Sequence, residues 1–416
     1  MTTAVSSLML TVPVVSGADS GATPLVLDST YASGSARSGH SGTSASSQEE
    51  RLEGRSRGSM GVASKPRASK SGATESSRPA GSTQSGATPT GSTPTGSTPS
   101  TTAAPTTSPG SGVTVDLGPD CSGAGRTVVQ PVASGSVLTT QWEAGAPAKD
   151  TTYDLSGVTS TAYPATKSPF AVGIETAAPR TCVVGGTISG RADDAQTWQE
   201  LHDEYNAACV KIIALEWMQV RGLRCDNVED GIKPQESGVN ANNTQFVVSG
   251  THLSRIRDDC MENDYTVGGV LHDSLWESCN TGISERPSAD RAWATPSSET
   301  LVLDRMLIGL YKTPHVEDGK TVMGENALFE WSTSGNRVVI KCSVFKVDEV
   351  SLNGVDTMAM PPGTVVDDSA CPDNPSTIVW LGGGEYPAWT AGMRVVSDPA
   401  VWTDAVREWK SAHGAS

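Results

Sequence analysis

The chain has 416 residues, with 46 Asp and Glu against 30 Lys and Arg, for a formal net charge of −16. Residues 1–112 hold eight basic and six acidic groups, so the remainder holds 22 and 40. So acidic a remainder excludes nucleic acid and anionic lipid as partners, since both present negative charge.

In chain order, "AVSSLMLTVPVVSGA" (4–18) has the short apolar run and small-x-small end of a signal peptide, but no Lys or Arg precedes it. Residues 1–18 are therefore read as a weak signal peptide. Residues 19–112 are rich in Ser, Thr, Gly, Ala and Pro and end in the near-repeat "GATPTGSTPTGSTPS" (86–100). Such a segment buries too little apolar surface to offset the entropy of ordering it, so a disordered linker, similar to a glycosylated stalk, is expected. All ten Trp and all eight Cys lie beyond it, in a folded domain spanning 113–416. An even number of Cys suits disulfides outside the cell, although eight allow 105 pairings. No run approaches the ~18 apolar residues of a membrane-spanning helix. A secreted or envelope-associated monomer follows.

Within the domain, "DDAQTWQELHDEYNAAC" (193–209) places Trp198, Leu201, Tyr205 and Ala208 at helical spacing. A repeat comes next. "VRGLRCDNVEDGI" (220–232) aligns with "VSGTHLSRIRDDC" (248–260) and "LHDSLWESCNTGI" (271–283), and "VLDRMLIGL" (302–310) and "VIKCSVFKV" (339–347) continue it. Its apolar columns read Val220, Val248, Leu271, Val302, Val339; then Cys225, Leu253, Trp276, Leu307, Val344; then Val228, Ile256, Cys279, Leu310, Val347; and Ile232, Cys260, Ile283. Units of twenty-odd residues with apolar columns and insertions of varying length are what stacked parallel coils require. "SDPAVWTDAVREWKSAHG" (397–414) opens on a capping Ser397 or Asp398 and Pro399 and runs helically to Gly414, a helix expected to shield an exposed edge strand. The fold class is all-β: a single-stranded right-handed parallel β-helix with a short helical insertion and a C-terminal capping helix.

These coils resemble those of the right-handed parallel β-helix, or pectin-lyase-like, superfamily. "DNVEDGI", "RDDCMENDY" and "NTGISERPS" in successive coils look like a bacterial β-helix family with no assigned activity. The resemblance covers roughly 180–350 and is specific for fold rather than chemistry.

The chemistry concentrates in "RIRDDCMENDY" (255–265). The repeat stacks Asp258 over Asp230 and sets Asp259 between Gly231 and Gly282, in what looks like an open notch, with Glu262 and Asp264 following. Three readings stay open. In the first, crowding raises one carboxyl so that it protonates a glycosidic oxygen while another activates water or attacks. The order "NVEDG" then "DDC" is similar to the Asn-Thr-Asp and Asp-Asp segments of polygalacturonase-type hydrolases, which implies Asp230, Asp258 and Asp259 as the catalytic trio. The Gly-His-Gly and Arg-x-Lys segments of that family are missing, leaving Arg257, His272 and Arg286 as basic partners. Glu229, Lys233, Glu285 and Trp293 are candidate substrate contacts. In the second, Asp258, Asp259, Glu262 and Asp264 hold Ca²⁺, and Arg257, Lys233 or Arg286 removes a proton, as the resemblance to pectate-lyase-type enzymes implies. In the third, the carboxylates cap turns of a non-catalytic carbohydrate-binding or adhesion module. The expected partner is a polysaccharide or cell-envelope glycan, with no cofactor other than Ca²⁺.

Overall fold

The computed structural model describes residues 115–145, 148–162, 170–174, 179–213, 216–235, 245–286, 299–333 and 335–415. The N-terminal signal and linker segments, and Trp293, lie outside the described residues. The described chain is a parallel β-helix whose coils lay their strands on three faces. The first face stacks Thr127–Val129, Thr151–Asp154, Thr181–Val184, Trp217–Arg221, Gln245–Ser249, Gly268–His272, Thr300–Asp304, Arg337–Lys341 and Val365–Val366, in that order. The second includes Arg224–Asp226, His252–Ser254, Leu307–Leu310, Val344–Val347, Thr377–Trp380 and Arg394–Val396. The third includes Phe170–Ile174, Ala208–Ile213, Asp230–Gln235, Ile256–Glu262 and Ala327–Trp331. The long strand Leu275–Glu285 turns the corner between the second and third faces, pairing with both.

Inward columns hold the stack together. Tyr153, Val183, Val220, Val248, Leu271, Leu303, Ile340 and Val366 are successive partners on the first face. Each fully buried side chain of this kind stabilises the fold by ~1.5–3 kcal/mol. The first two columns hold for three coils and then slip by one residue, whereas the third holds further, with Ile256, Cys279 and Leu310 in register. Leu303 and Ile340 occupy the column assigned to Val302 and Val339, and Ile308 and Phe345 that assigned to Leu307 and Val344. The cause is that these strands are apolar on both sides. Val302 and Val339 face outward beneath Val115, Leu117 and Trp217, and Leu307 packs under Trp402 and Trp409. With both sides covered, the period of two no longer marks which side is inside.

Four disulfides, Cys121–Cys182, Cys209–Cys225, Cys260–Cys279 and Cys342–Cys371, select one of the 105 pairings and use every Cys. Bonds of this type form and persist outside reducing compartments. Among the described residues no helix is long and apolar enough to cross a membrane.

Both expected helices are present. Trp198–Glu204 starts at a capping box of Thr197 and Glu200 and is shorter than its apolar spacing suggests. Asn206 takes a left-handed φ of 45°, and Ala208 opens the strand Ala208–Ile213. Pro399–His413 begins at Asp398 and ends at a left-handed Gly414. Its apolar side lies on outward residues of the second face, Leu275, Leu307 and Val379. Trp409 Nε1 donates to Asp273 O at 3.1 Å, and Arg224 Nη2 to His413 O at 3.2 Å. The helix therefore shields the flank of the stack and runs back across several coils. Replacing the buried Trp402 by Ala is expected to lower stability by ~3–5 kcal/mol, as for large aromatic truncations, read as a drop in chemical-denaturation midpoint.

Candidate active site

The candidate site sits on the third face, where register decides everything. Arg224 to Asp226 pair with His252 to Ser254, an offset of 28, but Ile232 pairs with Met261, an offset of 29. The ladder to the next coil shifts between Ile256 and Asp259, so the extra residue is a β-bulge inside "IRDD" itself. Arg257 and Asp258 N–H donate to the consecutive carbonyls of Val228 and Glu229, at 2.9 and 2.8 Å. The bulge brings Asp259, not Asp258, over Asp230, and Asp259 N–H donates to Asp230 Oδ1 at 3.2 Å. It also puts Met261 in the core column expected for Cys260. Bulges of this kind re-aim side chains and are common beside active sites.

The two glycines leave no open notch. A Cβ on Gly231 would stand 2.4 Å from Cys260 O, and one on Gly282 2.6 Å from Leu328 O, so each lets the next coil approach closely. Asp259 itself is 1% exposed.

Two columns build the site. One reads Ala208, Asp230, Asp259, Thr281, Ala327, and the other Lys211, Lys233, Glu262, Ser284, Glu330. Lys233 Nζ lies 2.8 Å from Asp230 Oδ2 and 2.5 Å from Glu262 Oε2, and donates to Asn206 Oδ1 at 3.4 Å. One oxygen each of Asp230, Asp259 and Glu262 fall within 4.8 Å of one another. Beside them Glu229 accepts from Ala207 N–H at 2.7 Å and meets His202 Nδ1 at 3.0 Å, and His202, Glu229 and Asp258 form a second cluster of the same size.

A roof closes over this face. Arg257, 1% exposed, reaches out to Asp194 Oδ1 at 2.9 Å and to Gln196 O at 3.2 Å. Trp198 stacks on His202 with ring centroids 5.2 Å apart, and on His315 of the antiparallel hairpin Thr313–Glu317/Lys320–Gly324 at 6.1 Å. Val316 N–H donates to Gln199 Oε1 at 2.9 Å. Burial lowers the His315 pKa, against the pull of Asp258.

Burial first, then neighbouring carboxylates, pushes the Asp259 carboxyl well above the usual range. Asp230 is raised as well, by burial, with Lys233 opposing. The two compete for one proton. Asp230 has Lys233 and the Asp259 N–H to hold a charge, whereas neither carboxylate oxygen of Asp259 has a hydrogen-bond partner. The proton therefore resides on Asp259.

Other expected site residues fall elsewhere. Asp264 accepts from Arg286 N–H at 2.9 Å and ties its corner to the next coil. Glu285, its pKa raised to about 8 by burial, accepts from Asn263 Nδ2 at 2.6 Å and from Asn336 N–H at 2.7 Å. His272 belongs to the first face, 2.8 Å from Asp304, and does not reach the cluster. Arg286 stands at the rim, paired with Glu330 at 2.7 Å. Unforeseen from the sequence are His202, His315, Asp194 and Glu330, which come from insertions and a later coil with no repeat position to betray them.

Ca²⁺ does not fit this donor set. An ammonium already stands between Asp230 and Glu262, and Asp264 is spent on the Arg286 N–H, so six to eight oxygens are not assembled. No protein-family model, curated protein or solved structure matches this chain, which leaves the geometry to argue function by itself.

The protonation state of Asp259 can be tested by linkage. Its folded pKa lies above the ordinary Asp value of ~3.9, so the stability it contributes is fully present below that value and is lost as pH rises through the folded pKa. Asn does not titrate. Asp259→Asn is expected to gain stability over wild type by up to ~1.4 kcal/mol per pH unit above about pH 4, the difference vanishing in more acid solution. Denaturant titrations at several pH values measure it.

Proposed function

We propose that this protein is an exported glycoside hydrolase acting on a polysaccharide. The observation that supports this most directly is a fully buried Asp259 with no hydrogen-bond partner, its carboxyl raised by burial and one oxygen converging on Asp230 and Glu262. An unsatisfied buried carboxyl costs stability and is a frequent mark of a functional site. Here it faces what acid–base chemistry on a glycosidic bond needs.

In this reading Asp259 donates its proton to the leaving glycosidic oxygen. Asp230 or Glu262, each in contact with the Lys233 ammonium, activates water or attacks the anomeric carbon. Lys233 is a positioning residue: it holds Asp230 and Glu262 together across two coils and opposes the rise that burial imposes on Asp230. Arg257 serves the roof through Asp194. Glycan entry requires the Asp193–Tyr205 segment and the Thr313–Gly324 hairpin to lift from the face, a motion of the kind that gates many enclosed sites. Closure then excludes water around the proton donor.

The disulfides support export, and the acidic, soluble surface is compatible with it. A lyase of the Ca²⁺ type is the second reading, disfavoured by Lys233 standing between two of the carboxylates.

The test is a polysaccharide panel scored for new reducing ends and for unsaturated products absorbing in the near ultraviolet. Wild type is expected to release reducing ends without unsaturation, and with full activity in excess EDTA. Asp259→Asn and Glu262→Gln are each expected to lose at least ~100-fold in kcat while remaining folded, Asp259→Asn with a melting temperature above wild type at neutral pH. Wild-type rates in Asp259→Asn, or no cleavage of any polysaccharide, would overturn the assignment.

A further inference from the structure

The charges of the site also bear on which sugar it takes, an inference that rests on the hydrolase reading above. Four basic groups that face this site are already matched to protein carboxylates. Lys233 serves Asp230 and Glu262 at 2.8 and 2.5 Å. Arg257 serves Asp194 at 2.9 Å, Arg286 serves Glu330 at 2.7 Å, and His202 meets Glu229 at 3.0 Å. Lys211, in register below Lys233, is not free either. With Asp194 and Glu330 counted, seven carboxyl groups face these five basic groups, and Glu229, Asp230, Asp258, Asp259 and Glu262 come from two consecutive coils and are all at most 7% exposed.

The second observation is Asp259. It is 1% exposed, its two oxygens have no hydrogen-bond partner, and one of them converges on Asp230 and Glu262. A neutral carboxyl has one O–H to donate and one carbonyl oxygen to accept, so a ligand group that both donates and accepts satisfies it fully, whereas one that only accepts leaves the carbonyl oxygen unmet. A sugar hydroxyl or ammonium can donate. A uronate carboxylate cannot, and it would enter as a further negative charge among groups already repelling each other. To bind here it would have to take a cation away from one of the protein's own carboxylates. Juxtaposed like charges in a desolvated site are a strong device for rejecting a ligand.

We propose that the sugar seated at Asp259 carries no carboxylate: the site selects a neutral or, better, an amino-sugar glycan and rejects uronans. This separates the protein's specificity from that implied by its resemblance to polygalacturonase-type enzymes, whose later-coil Arg-x-Lys segment this sequence lacks.

The experiment uses the full chain and two series of hexasaccharides, β-1,4-linked gluco and α-1,4-linked galacto, each in neutral, amino and uronic form. Within a series only the charge changes. Binding is measured by calorimetry and cleavage by reducing ends. In the series that binds, the uronic member is expected to bind at least ~100-fold more weakly than the neutral one, and the amino member ~10-fold more tightly. Glu330→Gln, which releases Arg286, is expected to narrow the neutral-to-uronic ratio. A uronic hexasaccharide that binds as tightly as its neutral counterpart overturns the proposal and leaves hydrolysis standing. The expected order of binding without cleavage supports the charge selection and overturns the hydrolase. No binding by any of the six overturns both.

Discussion

The Lys233 ammonium, between Asp230 of its own coil and Glu262 of the next, is the contact on which the third face depends. A parallel stack sets equivalent positions ~4.8 Å apart, so a carboxylate in one coil confronts its equivalent in the next at close range. Removed from water, such a pair cannot stay doubly charged without a counter-ion. Lys233 supplies one charge against two neighbouring carboxylates, and the remaining imbalance settles as a proton on Asp259. The ion pair and the neutral acid are thus two consequences of one electrostatic constraint. Without Lys233 the face would need to stay open to solvent. With it, the roof formed by Trp198, His202 and His315 can close.

The bulge between Ile256 and Asp259 is the second requirement. In an unbroken ladder Asp258 would stand over Asp230, as the repeat suggests, and Asp259 would point with its neighbours of opposite parity. One extra residue changes that parity locally, so that consecutive positions Cys260 and Met261 are both buried in the core while Asp258 and Asp259 both remain with the carboxylate clusters. The Cys260–Cys279 disulfide lies directly after the bulge and ties it to the next coil. Disulfides that close loops of this size stabilise by ~3 kcal/mol, enough to hold an irregular strand.

How much of this was legible in the sequence follows from the same physics. The coil repeat was readable, because Val220, Val248 and Leu271 must each be apolar for the stack to exist. Later coils were misaligned by one residue, because Val302 and Leu307 look inward by composition but are apolar for another reason: a covering segment or helix packs over them. The carboxylates were visible as a group, since five acidic residues in two coils are conspicuous. Their pairing was not, because a bulge has no compositional signature. The roof was least visible of all. Only the helical spacing of Trp198 and Leu201 announced an element there. Nothing in "QELHDEY" or "KTPHVED" tells that two histidines flank one tryptophan across the site.

Covering the site changes what its acidity means. On an open corner, a row of Asp and Glu would be solvated, would keep its ordinary pKa values, and would cap turns at little cost. Under the roof the same groups lose water, and each must find a proton, a cation or a donor. Asp230 and Glu262 have the cation, and Glu229 has a backbone N–H and His202. Asp259 is left with the proton and no acceptor for it within the protein. A buried acid without a hydrogen-bond partner, enclosed by elements that pack by ring stacking, the Arg257–Asp194 pair and a few hydrogen bonds, is poised to meet one from outside when those elements part. A glycosidic oxygen is such an acceptor, and the surrounding negative charge favours the oxocarbenium-like cation that forms when it is protonated.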